Sequence, residues 1–79
     1  MPVNKAIALR IEELLKQKNM TRYRLAVQSG LPHSTLKNIM HGTIKDVKFS
    51  TLILIATGFG MTINEFLDSP YFYEDNLYI

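Results

Sequence analysis

His33, Ser34, Lys37, Asn38 and His41 are the residues of this chain whose types and spacing could do chemistry. Catalysis is the first possibility to weigh. His33 and Ser34 are sequence neighbours, so they cannot meet as base and nucleophile, and no acid nearby could orient the imidazole. His33 and His41 stand eight residues apart, about 12 Å along a helix axis, too far to share a zinc ion. No glycine-rich phosphate loop is present. Neither an enzyme nor a cofactor or metal site is expected. Hydrogen bonding fits the set better. Asn can bridge the two major-groove groups of adenine, Lys can reach the acceptors of guanine, and Ser or His can donate or accept.

Such groups need a rigid support. With Leu36 at zero on a helical wheel, Pro32, Ile39 and Met40 fall within about 60° and form a buried stripe. Lys37, His41, Ser34 and Asn38 take the opposite arc, with His33 at its N-terminal shoulder. Residues 32–41 therefore read as a short helix with an apolar back and a hydrogen-bonding front, opened by Pro32 and ended by Gly42. Before it, Thr21 caps a helix over Arg22–Ser29, with Ala26 small enough for a close crossing and Gly30 free to take positive φ in the turn. Arg22 and Tyr23 lie at the start of that helix, where the amide dipole favours phosphate.

The ordered series Thr21, Leu25-Ala26, Ser29-Gly30-Leu31, Ser34-Thr35-Leu36, Ile39 and Gly42 resembles the phage Cro and repressor family of helix-turn-helix regulators. Leu52-Ile53, Ala56, Gly60-Met61-Thr62 and Phe66-Leu67 extend the likeness, so that it spans roughly Ile7 to Leu67. The resemblance implies an all-α, five-helix, lambda-repressor-like DNA-binding domain whose third helix enters the major groove. Carried over position by position, it implies base contacts from His33, Ser34, Lys37 and Asn38. It also implies phosphate contacts from Arg22 and from the loop Thr43–Lys48, within which Thr43, Lys45 and Lys48 are the candidates; Tyr23 and His41 join them on their positions. Three departures stand out. Arg24 replaces the family's acid or glutamine after the cap, Val47 replaces a frequent proline, and apolar Leu15 and Met40 replace a frequent Arg–Glu pair. Exchanging a buried ion pair for packed hydrocarbon is often neutral or stabilising, so the fold is not in doubt.

The whole chain agrees with one small domain. It has 79 residues, 47% of them hydrophobic, and no cysteine, which favours a packed core, excludes disulfides and suits a reducing cytoplasm. No apolar run follows Met1–Asn4 as a signal peptide requires, and Leu52–Ala56 is too short to span a bilayer. A cytoplasmic protein is the expectation. The net charge is only +2, but its distribution is uneven. Met20–Lys48 holds five Lys or Arg against one acid, Asp46, whereas Met61–Ile79 holds four acids and no Lys or Arg. That polarity would orient the domain toward a polyanion.

The remaining elements read as scaffold. A first helix is expected over Lys5–Lys18 with Asn4 as N-cap, burying Ile7, Ile11, Leu14 and Leu15, with Arg10, Glu13, Lys16 and Gln17 on or near the wet side. Asn19 suits a left-handed C-terminal turn. Ser50 is the expected N-cap of a fourth helix, Thr51–Phe59, with Leu52, Ile53, Ile55, Ala56 and Phe59 inward; Gly58 weakens its last turn. Its near all-round apolarity suits the core or a subunit contact. Thr62 and Glu65 form a capping box for a short fifth helix.

Residues 1–68 are thus the expected helix-turn-helix domain, and 69–79 an aromatic tail. Tyr71, Phe72, Tyr73, Leu77, Tyr78 and Ile79 either fold back on the domain or cover a partner. The reading that follows is sequence-specific binding of double-stranded DNA by a small transcriptional regulator, a repressor, acting as a homodimer. A protein-interaction module or antitoxin-like component, with a protein partner at the tail, is the rival. Salt separates them, because phosphate contacts make affinity fall steeply with ionic strength and an apolar interface does not.

Overall fold

The computed structural model describes residues 1–78, and Ile79 of the tail lies outside them. Among the described residues the chain is all-α, with five α-helices: α1 (Val3–Gln17), α2 (Arg22–Ser29), α3 (His33–Met40), α4 (Phe49–Gly58) and α5 (Ile63–Leu67). Two single-turn 3₁₀ helices, Pro70–Phe72 and Glu74–Asn76, follow.

α1 buries Ile7, Ile11 and Leu14 at helical spacing, flanked by Ala6 and Leu15. It starts earlier than the expected Asn4 cap. Pro2 is extended, and its carbonyl accepts the amides of Lys5 and Ala6 at 3.1 Å, so Asn4 lies within the first turn. There its Nδ2 donates to the carbonyl of Gly42 at 3.4 Å, tying α1 to the end of α3. Asn19 takes the expected left-handed conformation, φ 52°. The second helix follows the sequence closely: the Thr21 hydroxyl accepts the Arg24 amide at 3.1 Å, and Gly30 closes α2 at φ 70°.

α4 departs from expectation twice. Its N-cap is Lys48, whose carbonyl accepts the amides of Thr51 and Leu52, so Ser50 sits inside the helix and caps nothing. Leu52, Ile55, Ala56 and Phe59 are buried as expected, but Ile53 is exposed. Ile53 lies one turn from Phe49 on the side facing away from α2 and α5, so hydrophobicity alone could not place it.

Gly58 has a packing role the sequence did not suggest. A Cβ there would stand 2.1 Å from the Ser29 Oγ, 3.1 Å from Leu25 Cδ1 and 3.1 Å from the Ser29 amide nitrogen. Only glycine lets α4 approach the end of α2 this closely. Loss of helix propensity is the lesser consequence. Ser29 Oγ is buried at this crossing without a hydrogen-bond partner among the described residues.

Arg10 is the main correction on α1. It is buried rather than wet. Its Nε donates to the Phe66 carbonyl at 2.8 Å, one terminal nitrogen donates to the Glu65 carbonyl at 3.0 Å, and the other pairs with Glu13 at 2.6 Å. The guanidinium lies 6.0 Å from the centre of the Phe66 ring. A cation thus satisfies carbonyls at the end of α5, where the helix dipole is negative. The helical wheel missed this because the partners come from 55 and 56 residues away.

The tail folds back. Phe72 packs on the core with its ring 5.9 Å from that of Phe66, and the Pro70–Phe72 turn lies against α1. The Asn76 side chain donates to the Pro70 carbonyl at 2.7 Å, and the Tyr78 amide donates to the Met1 carbonyl at 3.0 Å. Of its aromatic rings, those of Tyr73 and Tyr78 remain exposed.

Candidate nucleic-acid interface

α3 is held from behind. Leu36 and Ile39 are fully buried, Met40 is partly buried, and α1 and α2 both pack against the helix. Pro32, expected in the buried stripe, is exposed instead. It is the N-cap, with extended backbone, and so lies outside the helical register that defines the stripe. His33 becomes the first helical residue.

With that back buried, His33, Ser34, Lys37 and Asn38 all emerge into solvent. None of their side chains has a hydrogen-bond or ion-pair partner among the described residues. Phe72 packs on Phe66 and the Pro70–Phe72 turn on α1, and the four side chains of α3 stay exposed. Asn38 contributes its backbone carbonyl to the helix end, where it accepts both the Thr43 amide and the Thr43 hydroxyl at 3.0 Å. Its side-chain amide stays available.

The surrounding cations are disposed on either side of this helix in sequence. Arg22 is the first residue of α2, Lys45 stands in the loop after α3 and Lys48 caps α4; all three are exposed. His41, the C-cap of α3, is exposed as well. Tyr23 is 70% exposed, and its ring lies 6.1 Å from that of His33, tilted by 51°. The turn therefore brings together a phosphate candidate from α2 and a base candidate from α3, a proximity that sequence spacing did not show. Thr43 is placed less favourably. With its hydroxyl proton committed to Asn38, it locks the end of α3 rather than offering a free donor.

The electrostatics of the face are simple. Asp46 is the single acid between Met20 and Glu65, so α2 and α3 carry no carboxylate of their own; Glu12 of α1 lines the same surface cleft as Arg22. The acids Glu65, Asp68, Glu74 and Asp75 belong to α5 and the tail. Within the described residues no group of three or more His, Asp or Glu could hold a metal ion, and no helix is long and apolar enough to cross a membrane.

Two helices joined at a glycine turn, the second buried behind and polar in front, define a helix-turn-helix module. The Cro/C1-type HTH DNA-binding domain family matches residues 10–70, and the chain belongs to that family. It is accordingly a DNA-binding protein of the regulator type. No curated protein and no solved structure matches it significantly.

Proposed function

We propose that this protein is a sequence-specific repressor that reads double-stranded DNA through residues 32–41. His33, Ser34, Lys37 and Asn38 contact base edges in the major groove. Arg22, Tyr23, His41, Lys45 and Lys48 contact phosphates, with Thr43 assisting through the loop backbone. The observation that carries this reading is the front of α3, where four hydrogen-bonding side chains stand exposed and uncommitted on a helix whose back is locked into the core. Uncommitted polar groups on a rigid support match base edges at low ordering cost.

The domain acts as a homodimer. Its extents are 32 × 23 × 21 Å, and successive major grooves on one face of a duplex are about 34 Å apart. One copy with one such helix reads one groove. Two copies double the site and with it the discrimination against unrelated sequence. Residues 1–68 supply this function, and the tail braces it where Pro70–Phe72 packs on α1. A cytoplasmic location fits both the partner and the absence of cysteine.

Selection of bound sequences from a random duplex pool, followed by titration across salt concentration, tests the reading. The expected result is a defined two-fold motif and a log affinity that falls linearly with log salt. Binding without sequence preference, or with a flat salt response, overturns it.

A further inference from the structure

Tyr23 of α2 and His33 of α3 meet across the turn through their rings. The ring centres are 6.1 Å apart with planes tilted by 51°, inside the range of roughly 4.5–7 Å at which aromatic rings attract. The pair is no part of the core, since Tyr23 is 70% exposed and His33 is exposed too. Its supports are nonetheless rigid. The Thr21 hydroxyl caps α2, Gly30 turns the chain at φ 70°, and the Leu31 amide donates to the Ala26 carbonyl at 3.1 Å. Leu25, Ala26 and Leu36 are buried between the two helices and the rest of the core. Neither the Tyr23 hydroxyl nor a His33 ring nitrogen has a hydrogen-bond partner among the described residues.

His33 carries the only ring among the four side chains assigned to base edges. A neutral imidazole offers a donor at one nitrogen and an acceptor at the other, so a ring free to turn discriminates bases poorly. We infer that Tyr23 is a positioning residue for base readout, its ring holding the His33 imidazole in one orientation at the start of α3. This rests on the DNA-binding reading above and adds to the phosphate contact given there to Tyr23. The two roles use different atoms. A phosphate takes the hydroxyl proton, whereas the brace uses the ring. Holding one side chain before binding avoids its ordering cost, a factor of roughly 2–10 in affinity. The gain is realised only where His33 meets its matching base, so it shows as preference at one base pair and not as general affinity.

Substitutions in the full chain separate ring from hydroxyl. His33→Ala first marks the base pair of the selected operator whose preference His33 supplies. Tyr23→Phe keeps the ring and should keep the preference there, at most weakening all duplexes alike. Tyr23→Ala should lower the preference at that base pair by roughly 2–10-fold, leave the other positions unchanged, and lower it no further in the His33→Ala background. Val27→Ser, one turn along α2 at an equally open site (64% exposed), should alter none of this. His33 ring-proton shifts in the free chain read the brace without DNA, and should move in Tyr23→Ala but hold in Tyr23→Phe. Preference that survives Tyr23→Ala, falls evenly across the operator, or falls as far in Tyr23→Phe overturns the inference, as do His33 shifts indifferent to Tyr23→Ala. A native chain that selects no duplex sinks the DNA reading and the positioning role with it; a chain that selects one and fails only the Tyr23 arms sinks the positioning role alone.

Discussion

At the α5 pole the guanidinium of Arg10 has a partner for each nitrogen, while along the front of α3 no side-chain donor has one among the described residues. Arg10 divides its guanidinium between two carbonyls and a carboxylate and is buried. Arg22 and Lys37 carry comparable charge, stand in solvent and bond to no side chain or carbonyl of the described chain. A buried cation with satisfied geometry fixes the relative positions of two helices, because leaving those carbonyls unpaired is costly. An exposed, unpaired cation adds little to stability but keeps its hydrogen-bonding capacity for something outside the molecule. One region holds the fold together; the other is held ready.

Substitutions at the two regions should therefore fail in different ways. Arg10→Ala should be the most damaging. It strips partners from the Glu65 and Phe66 carbonyls and removes packing on Phe66, for a loss of about 2–4 kcal/mol. In thermal unfolding followed by circular dichroism this is a drop of roughly 10 °C or more for a domain this small. A midpoint within a degree or two of the native value would break the contrast at its strong end. Gly58→Ala comes next. Alanine improves helix propensity by about 1 kcal/mol, but the new methyl meets Ser29 Oγ and the backbone nitrogen of Ser29. Overpacking of this kind typically costs about 1–3 kcal/mol, and the backbone contact cannot relax cheaply. Net destabilisation in urea titration is the expected sign; a stabilised variant would show that α2 and α4 separate easily.

At the front of α3 the midpoint should hardly move and binding should change. Lys37→Ala or Asn38→Ala should cost roughly 1–3 kcal/mol on the selected operator and much less on unrelated duplex, read as a loss of base preference in a competition assay. Arg22→Ala or Lys45→Ala should weaken both duplexes alike and reduce the slope of log affinity against log salt by about 1. If both pairs lowered affinity by the same factor on every sequence, the division into base and phosphate contacts would be wrong.

The smallest effect concerns pH. The Thr62 amide donates to the Glu65 carboxylate at 2.9 Å. That bond, with the Thr62 side chain and the charge of Lys18, holds the Glu65 carboxyl below its ordinary value of 4.5. A carboxyl depressed in the folded state stabilises above its unfolded pKa, and the contribution fades as pH falls through the folded one. The advantage of the native chain over Glu65→Gln in thermal midpoint should thus be present at neutral pH and shrink once the pH drops well below 4.5. Glu65 is fully exposed, so the difference is small, and a difference that grew on acidification would contradict the sign.

Local signals were legible where the physics is local. The Thr21 cap, the left-handed Gly30, the left-handed Asn19 and the Thr62–Glu65 capping box each depend on neighbours within a few residues, and all four stand as read. The apolar back of α3 was legible from periodicity at Leu36 and Ile39. The starts of α1 and α4 were not, because the carbonyls of Pro2 and Lys48 accept the first amides before either polar candidate is reached. The choice of tail packing was equally out of reach, since it depends on Phe72 meeting Phe66 and on Tyr78 meeting Met1.

The order of residues by itself determined that this chain makes a helix-turn-helix with a polar, basic front, because helical period, turn chemistry and charge are written along the backbone. Tertiary structure alone decided that Arg10 is a buried clamp while Arg22 stays available, that Gly58 is a contact point, and that Ile53 faces outward. Each of those outcomes depends on what a distant segment brings alongside, and periodicity along one helix does not name that segment.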